Sequence, residues 1–140
     1  MTMSDLEVLL SEPVRRAVED NLGRRPTDIA LDGRIAHAAR VATQVKYLQR
    51  AREKLPAMYS ARCILPPLAF EQSSSEACAA RKPLCGGRVL DLTCGLGVDA
   101  AALARRFAQV VAVERDATLA AVARENFSRL GIDNVAVVED

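Results

Sequence analysis

Between residues 91 and 114 the chain sets three carboxylates around a glycine turn. Asp91 lies in a short apolar run, Thr93-Cys94-Gly95-Leu96-Gly97 follows, Asp99 comes two residues later, and Glu114 closes the next apolar run. Gly95-x-Gly97-x-x-Ala100 with an acid ending the second run satisfies the loose dinucleotide pattern. There the glycines let a backbone approach a diphosphate, and the acid takes ribose hydroxyls. Asp91 and Asp99 argue against a diphosphate. One such contact at about 4 Å costs about 4 kcal/mol at an effective dielectric of about 20. A ligand bearing an ammonium group and a sulfonium would be attracted instead.

Other reactive side chains are sparse. Cys63, Cys78, Cys85 and Cys94 form no C-x-x-C pair, and His37 is the single histidine. Metal-site spacing is therefore absent, and free thiols are expected. Cys94 has no neighbouring histidine to activate it and reads as a small tolerated side chain. His37 reads as a surface or partly packed residue.

The elements that must position the acidic turn come from periodicity. Arg88-Val89-Leu90-Asp91-Leu92, Gln109 to Val113 and Val135 to Val138 are short β-rich runs. Between them lie helical faces, Ala100-Leu103-Ala104-Phe107 and Leu119-Val122-Ala123-Phe127-Leu130, the second capped by Gly131. This predicts β-α-β-α-β with a parallel sheet and right-handed crossovers, an incomplete Rossmann-like unit over residues 83–140. Its first strand, apolar on both faces, would be an unpaired edge. The chain is therefore expected either to be a piece of a longer protein or to borrow another chain at that edge.

Residues 1–82 read as a helical region. Ser4 to Glu7 has capping-box spacing, and Pro13 suits a helix start. Gly23 and Pro26 stop that element. Ile35, Ala38, Ala42, Val45, Leu48 and Leu55 trace a longer helix closed by Pro56. Pro66-Pro67 forbids helix locally, and Ser74-Ser75-Glu76 starts a short helix reaching about Arg81.

Composition bounds the class. The 140 residues are 50% hydrophobic and 26% charged, with a net charge of +1, as in a globular domain. No apolar run approaches the roughly 20 residues of a membrane helix, and no basic signal region opens the chain. A cytoplasmic location is the expectation. Residues 1–82 hold 13 Lys/Arg against 10 Asp/Glu, and residues 83–140 hold 6 against 8. Arg40, Lys46, Arg50, Arg52 and Lys54 form either an RNA-facing stripe or the solvated face of a helix.

VLDLTCGLGVDAAALA, VVAVERD and ENFSRLGIDNVAVVED resemble the first three motifs of class I S-adenosylmethionine (SAM)-dependent methyltransferases, in order and spacing. Upstream, Lys54-Leu55-Pro56, Pro66-Pro67 and Glu71-Gln72-Ser73-Ser74-Ser75-Glu76 are similar to the helical segment of a bacterial methyltransferase family with a THUMP-like C-terminal domain. The resemblance covers residues 38–140. It implies SAM as cofactor, held by Asp91, the turn Thr93, Cys94, Gly95, Leu96 and Gly97, and the flanking Asp99, Glu114 and Arg115. Asp91 would take the amino group and Glu114 the ribose hydroxyls. Asp140 lies near where an acid meets the adenine amine, a role open to Asp140 or to a residue following it, and Gln72, Ser75 and Glu76 would form a cofactor lid.

THUMP modules handle RNA elsewhere, so RNA is the implied acceptor. No catalytic residue can be named. Acceptor-side residues in the superfamily follow the fourth strand in an Asn/Asp-Pro-Pro-aromatic turn, and here Pro66-Pro67 precedes the first strand and is followed by Leu68. The chain by itself is expected to be inactive. A nicotinamide-dependent oxidoreductase and a non-catalytic interaction module are the alternatives.

Overall fold

In a computed structural model describing residues 1–140, seven helices come first. They are α1 (Met3–Leu10), α2 (Glu12–Asp20), α3 (Pro26–Ala30), α4 (Ala38–Lys54), α5 (Pro56–Ser60), α6 (Pro67–Gln72) and α7 (Glu76–Ala80). The expected alternation follows: β1 (Gly86–Asp91), α8 (Val98–Ala104), β2 (Phe107–Glu114), α9 (Ala117–Arg129) and β3 (Val135–Glu139).

Proline starts helices here more than it stops them. Pro13, Pro26, Pro56 and Pro67 each sit in a first turn, where the missing N–H has no partner to lose. Pro26 therefore opens α3, and the Pro66-Pro67 pair, expected to forbid helix, opens α6. The first capping box also lies earlier than expected. Thr2, not Ser4, accepts the Asp5 N–H at 3.1 Å, and the Asp5 carboxylate takes the Thr2 N–H at 2.9 Å. Phe107 begins β2 and is not part of the helical face of α8.

The sheet is parallel throughout, in the order β1-β2-β3, with Val89 opposite Val110 and Val110 opposite Val135. Val110 and Ala112 are fully buried against Ala100 of α8 and Ala123 and Phe127 of α9. Both crossover helices thus cover one face, and Leu90 and Val138 on the other face stay exposed. β1 pairs with β2 alone.

The N-terminal helices form a third layer on the far side of α8 and α9. A single apolar cluster joins Leu48, Leu55 and Phe70 to Leu96, Val98 and Val122. The core is therefore continuous across the change of composition at Pro83. Residues 63–65 run extended through this layer, and two buried amides satisfy their backbone in place of neighbouring strands. Gln44 Nε2 donates to Cys63 O at 2.8 Å, and its Oε1 accepts the Leu65 N–H at 3.2 Å. From the other side Asn126 Oδ1 accepts the Ile64 N–H at 2.7 Å, and its Nδ2 donates to Ile64 O at 2.8 Å. No solvent reaches Asn126.

Candidate functional site

Parallel strands deliver their carboxyl ends to one rim, where open α/β sheets bind ligands. A cavity of about 600 Å³ lies there, bordered by the turn from Thr93 to Gly97, by Glu114 at the end of β2 and the following Arg115, and by Asp140. Gly95 and Gly97 shape the turn through left-handed backbones, with φ of 53° and 87°. Gly97 is required twice over, because a Cβ there would stand 2.7 Å from Phe127 Cζ. The turn is tied to the sheet: Cys94 N–H donates to Val113 O at 2.9 Å, and Gly97 N–H to Cys94 O at 2.8 Å.

Glu114 braces the same turn. Its Oε2 accepts the Gly95 N–H at 2.9 Å, and its Oε1 the Asp116 N–H at 3.0 Å. Each oxygen keeps a lone pair, so the carboxylate can still receive two hydroxyl donors. Asp91 is not among the cavity-lining residues. Its Oδ1 accepts the Thr93 N–H at 3.1 Å, and its Oδ2 is buried with no partner. Such an orphan acceptor calls for a donor, and an oxygen shut off from the cavity cannot take one from a ligand there. Asp99 lines the cavity but is balanced by Lys82, whose Nζ lies 2.7 Å from Oδ1. That ion pair cancels its part in the expected repulsion of a diphosphate; Asp91, Glu114 and Asp140 carry what remains.

The expected lid divides. Gln72 borders the cavity, joined by Ser73 and Ser74. Ser75 and Glu76 do not, since both are spent on helix starts. Ser75 Oγ accepts the Cys78 N–H at 3.1 Å at the head of α7. Glu76 accepts the N–H groups of Ala57 and Met58, each at 3.1 Å, at the head of α5. Orphan N–H groups at a helix start attract such acceptors; the motif's last two residues serve packing.

Burial, with the carboxylates of Asp91 and Glu114 nearby, pushes the Cys94 thiol up to about 12, and burial does the same for Cys63. Neither forms a thiolate near neutrality. Cys78 and Cys85 are exposed. Iodoacetamide on the native protein at pH 8 is accordingly expected to alkylate Cys78 and Cys85 and to spare Cys63 and Cys94, read by peptide mass spectrometry. Alkylation of Cys94 at the rate of Cys85 would contradict this account of the turn.

The basic stripe on α4 is largely consumed by the fold. Arg40 pairs with Asp5, Arg50 with Glu71, and Lys54 Nζ donates to Phe70 O at 2.7 Å. Lys46 and Arg52 are left over. No cluster of three or more His, Cys, Asp or Glu side chains is placed to hold a metal. No helix is long and apolar enough to cross a membrane.

Residues 89–140 match the methyltransferase domain family. Over 47 residues the chain is 60% identical to the 23S rRNA (uracil(1939)-C(5))-methyltransferase RlmD of Xanthomonas campestris pv. campestris (strain 8004), covering 34% of this chain and 11% of that protein. Over 52 residues it is 48% identical to the protein-L-isoaspartate O-methyltransferase of Methanoregula boonei, covering 37% and 24%. A crystal structure from Porphyromonas gingivalis W83, assigned as a methyltransferase, aligns with 89% of this chain and 33% of its own, at a TM-score of 0.74 and 32% identity. The chain thus spans a small part of the relatives it matches. Residues 89–140 therefore carry the methyltransferase-domain match within a Rossmann-like α/β fold shared with that methyltransferase structure.

Proposed function

We propose that the chain is the cofactor-binding part of a SAM-dependent methyltransferase whose acceptor is RNA, in a protein of the family with a THUMP-like C-terminal domain. The observation that supports SAM best is the acidic rim around a glycine turn that leaves acceptor capacity unused. Glu114 keeps two lone pairs for vicinal hydroxyls, and Asp140 adds a second carboxylate to the same cavity. When bound, SAM supplies an activated methyl group on a positive sulfur. The turn from Thr93 to Gly97, Asp140 and the segment Gln72 to Ser74 all border the cavity and would hold the cofactor. The RNA acceptor draws its support from the rRNA methyltransferases among the relatives.

A thermal-shift titration tests the reading. S-adenosylhomocysteine is expected to raise the melting temperature by mass action, by the equivalent of about 2.7 kcal/mol at one hundred times Kd, while NAD gives no shift. Glu114→Ala is expected to remove the response while circular dichroism shows the fold retained. A larger shift with NAD than with S-adenosylhomocysteine would instead favour the oxidoreductase.

A further inference from the structure

Of the residues before Pro83, only Ala69, Gln72, Ser73 and Ser74 border the cavity at the glycine turn. The first three recur at i, i+3 and i+4, on one face of α6 and the residue that ends it. By the same geometry Phe70 and Glu71 point the other way, and there they meet α4. A helix of six residues does not hold itself in water, so its place is set by what packs against it.

Tyr47, Arg50 and Lys54 follow one another along one side of α4, and all three meet Phe70. The Tyr47 and Phe70 rings pack edge to face with centroids 5.3 Å apart. Arg50 lies over the Phe70 ring at 5.1 Å and donates to both carboxylate oxygens of Glu71. Lys54 Nζ lies over the same ring at 4.6 Å and donates to Phe70 O at 2.7 Å. That carbonyl belongs to the last turn of α6, where a cation is favoured. It also accepts from Ser73 Oγ at 2.8 Å and from the Ser73 N–H at 3.3 Å, as the chain leaves the helix in an extended conformation. A lysine of α4 and a serine of the cavity wall therefore share one oxygen.

We propose that Lys54 and Arg50 are positioning residues for the cofactor, fixing through Phe70 and Glu71 where the wall from Gln72 to Ser74 stands. Neither cation touches the cavity; each acts through the end of α6. Phe70, 1% exposed, is packed by the Tyr47 ring as well, so the charged groups set the angle and reach of the segment more than its burial. The identity of the ligand as S-adenosylmethionine rests on the reading above; the hold on the wall does not.

Two measurements on the 140-residue chain, made well below its melting temperature, test this. Amide hydrogen exchange by NMR reads the Ser73 N–H in the ligand-free protein, and calorimetric titration reads the affinity for S-adenosylhomocysteine. Lys54→Met keeps an apolar stem over the ring and removes the donor. It is expected to speed Ser73 exchange and to weaken S-adenosylhomocysteine, each at least about five-fold, because apparent affinity falls with the fraction of molecules whose wall is in place. The amides of Val110 and Ala123, in the core under the sheet, keep their rates. Lys54→Arg, which retains a charged donor, is expected to restore both readouts. Arg50→Gln is expected to move both as Lys54→Met does. Arg40→Gln, which breaks the pair that the same stripe makes with Asp5, is expected to move neither. Unchanged Ser73 exchange in both Lys54→Met and Arg50→Gln overturns the hold. Faster exchange at unchanged S-adenosylhomocysteine affinity, or an equal loss of affinity in Arg40→Gln, overturns the positioning role. A wild type that does not bind S-adenosylhomocysteine overturns the cofactor reading and the positioning role with it, and the exchange rates then decide the hold alone.

Discussion

Gly97→Ala is expected to lower the melting temperature by about 10 °C and to abolish the response to S-adenosylhomocysteine. Two costs coincide at this position. A left-handed backbone costs an L-residue about 1–2 kcal/mol, and Gly97 has φ of 87°. The new methyl would also stand 2.7 Å from Cζ of Phe127, a buried ring packed between α9 and the sheet. Such overpacking costs typically about 1–3 kcal/mol. Together they make about 2–5 kcal/mol, and in a domain of this size each kcal/mol moves the melting temperature by about 3 °C. Gly95→Ala is the internal comparison. Its φ is 53°, but nothing nearer than Thr93 O at 4.0 Å meets the added carbon, so backbone strain alone applies. A drop below about 3 °C for Gly97→Ala, or one no larger than for Gly95→Ala, would show that the Phe127 contact has no bearing on the turn.

Asn126→Ala is expected to destabilise the protein by about 3–5 kcal/mol in urea unfolding. The substitution strands the N–H and the C=O of Ile64, both buried, and each unsatisfied group costs about 1–3 kcal/mol. Asn126→Asp separates amide chemistry from volume. It keeps an acceptor for the Ile64 N–H but sets a second acceptor oxygen against Ile64 O, so at neutral pH it should be at least as damaging as alanine. A loss under about 1 kcal/mol for either variant would mean that water or a backbone shift replaces the clamp.

Local patterns were legible where one segment decides the outcome. Val89 to Leu90, Val110 to Val113 and Val135 to Val138 could be placed on strands, and Leu119 to Leu130 on a helix, because periodicity and the glycine turn act within a few residues. The turn, Glu114 and Asp99 are legible for the same reason, Asp140 only through the family resemblance, and all of them line one cavity. Partnerships between distant residues were not legible. Nothing near Glu76 announces that its carboxylate caps α5 almost twenty residues upstream, nor that Lys82 reaches Asp99. Nothing in the residues around Gln44 or Asn126 marks them, and only the segment 63–65 packed between them gives them work. Thr2 displaced Ser4 as the first cap because Asp5 serves the capping box as a glutamate would, and also reaches Arg40. Pro26 and the Pro66-Pro67 pair show why proline is ambiguous in sequence: the same residue that ends one helix fits the first turn of the next.

The amide clamp on Ile64 also bears on how the chain matures as it leaves the ribosome. Ile64 and Asn126 are 62 positions apart, so the helices before Pro83 are synthesised well before their last partner exists. Until α9 is complete, one side of the extended segment has no protein donor or acceptor and must stay hydrated, which keeps its apolar neighbours from sealing. The early helices therefore wait as a loose assembly, and this part of the nascent polypeptide locks only when α9 arrives, the sheet and the helical layer closing in one event.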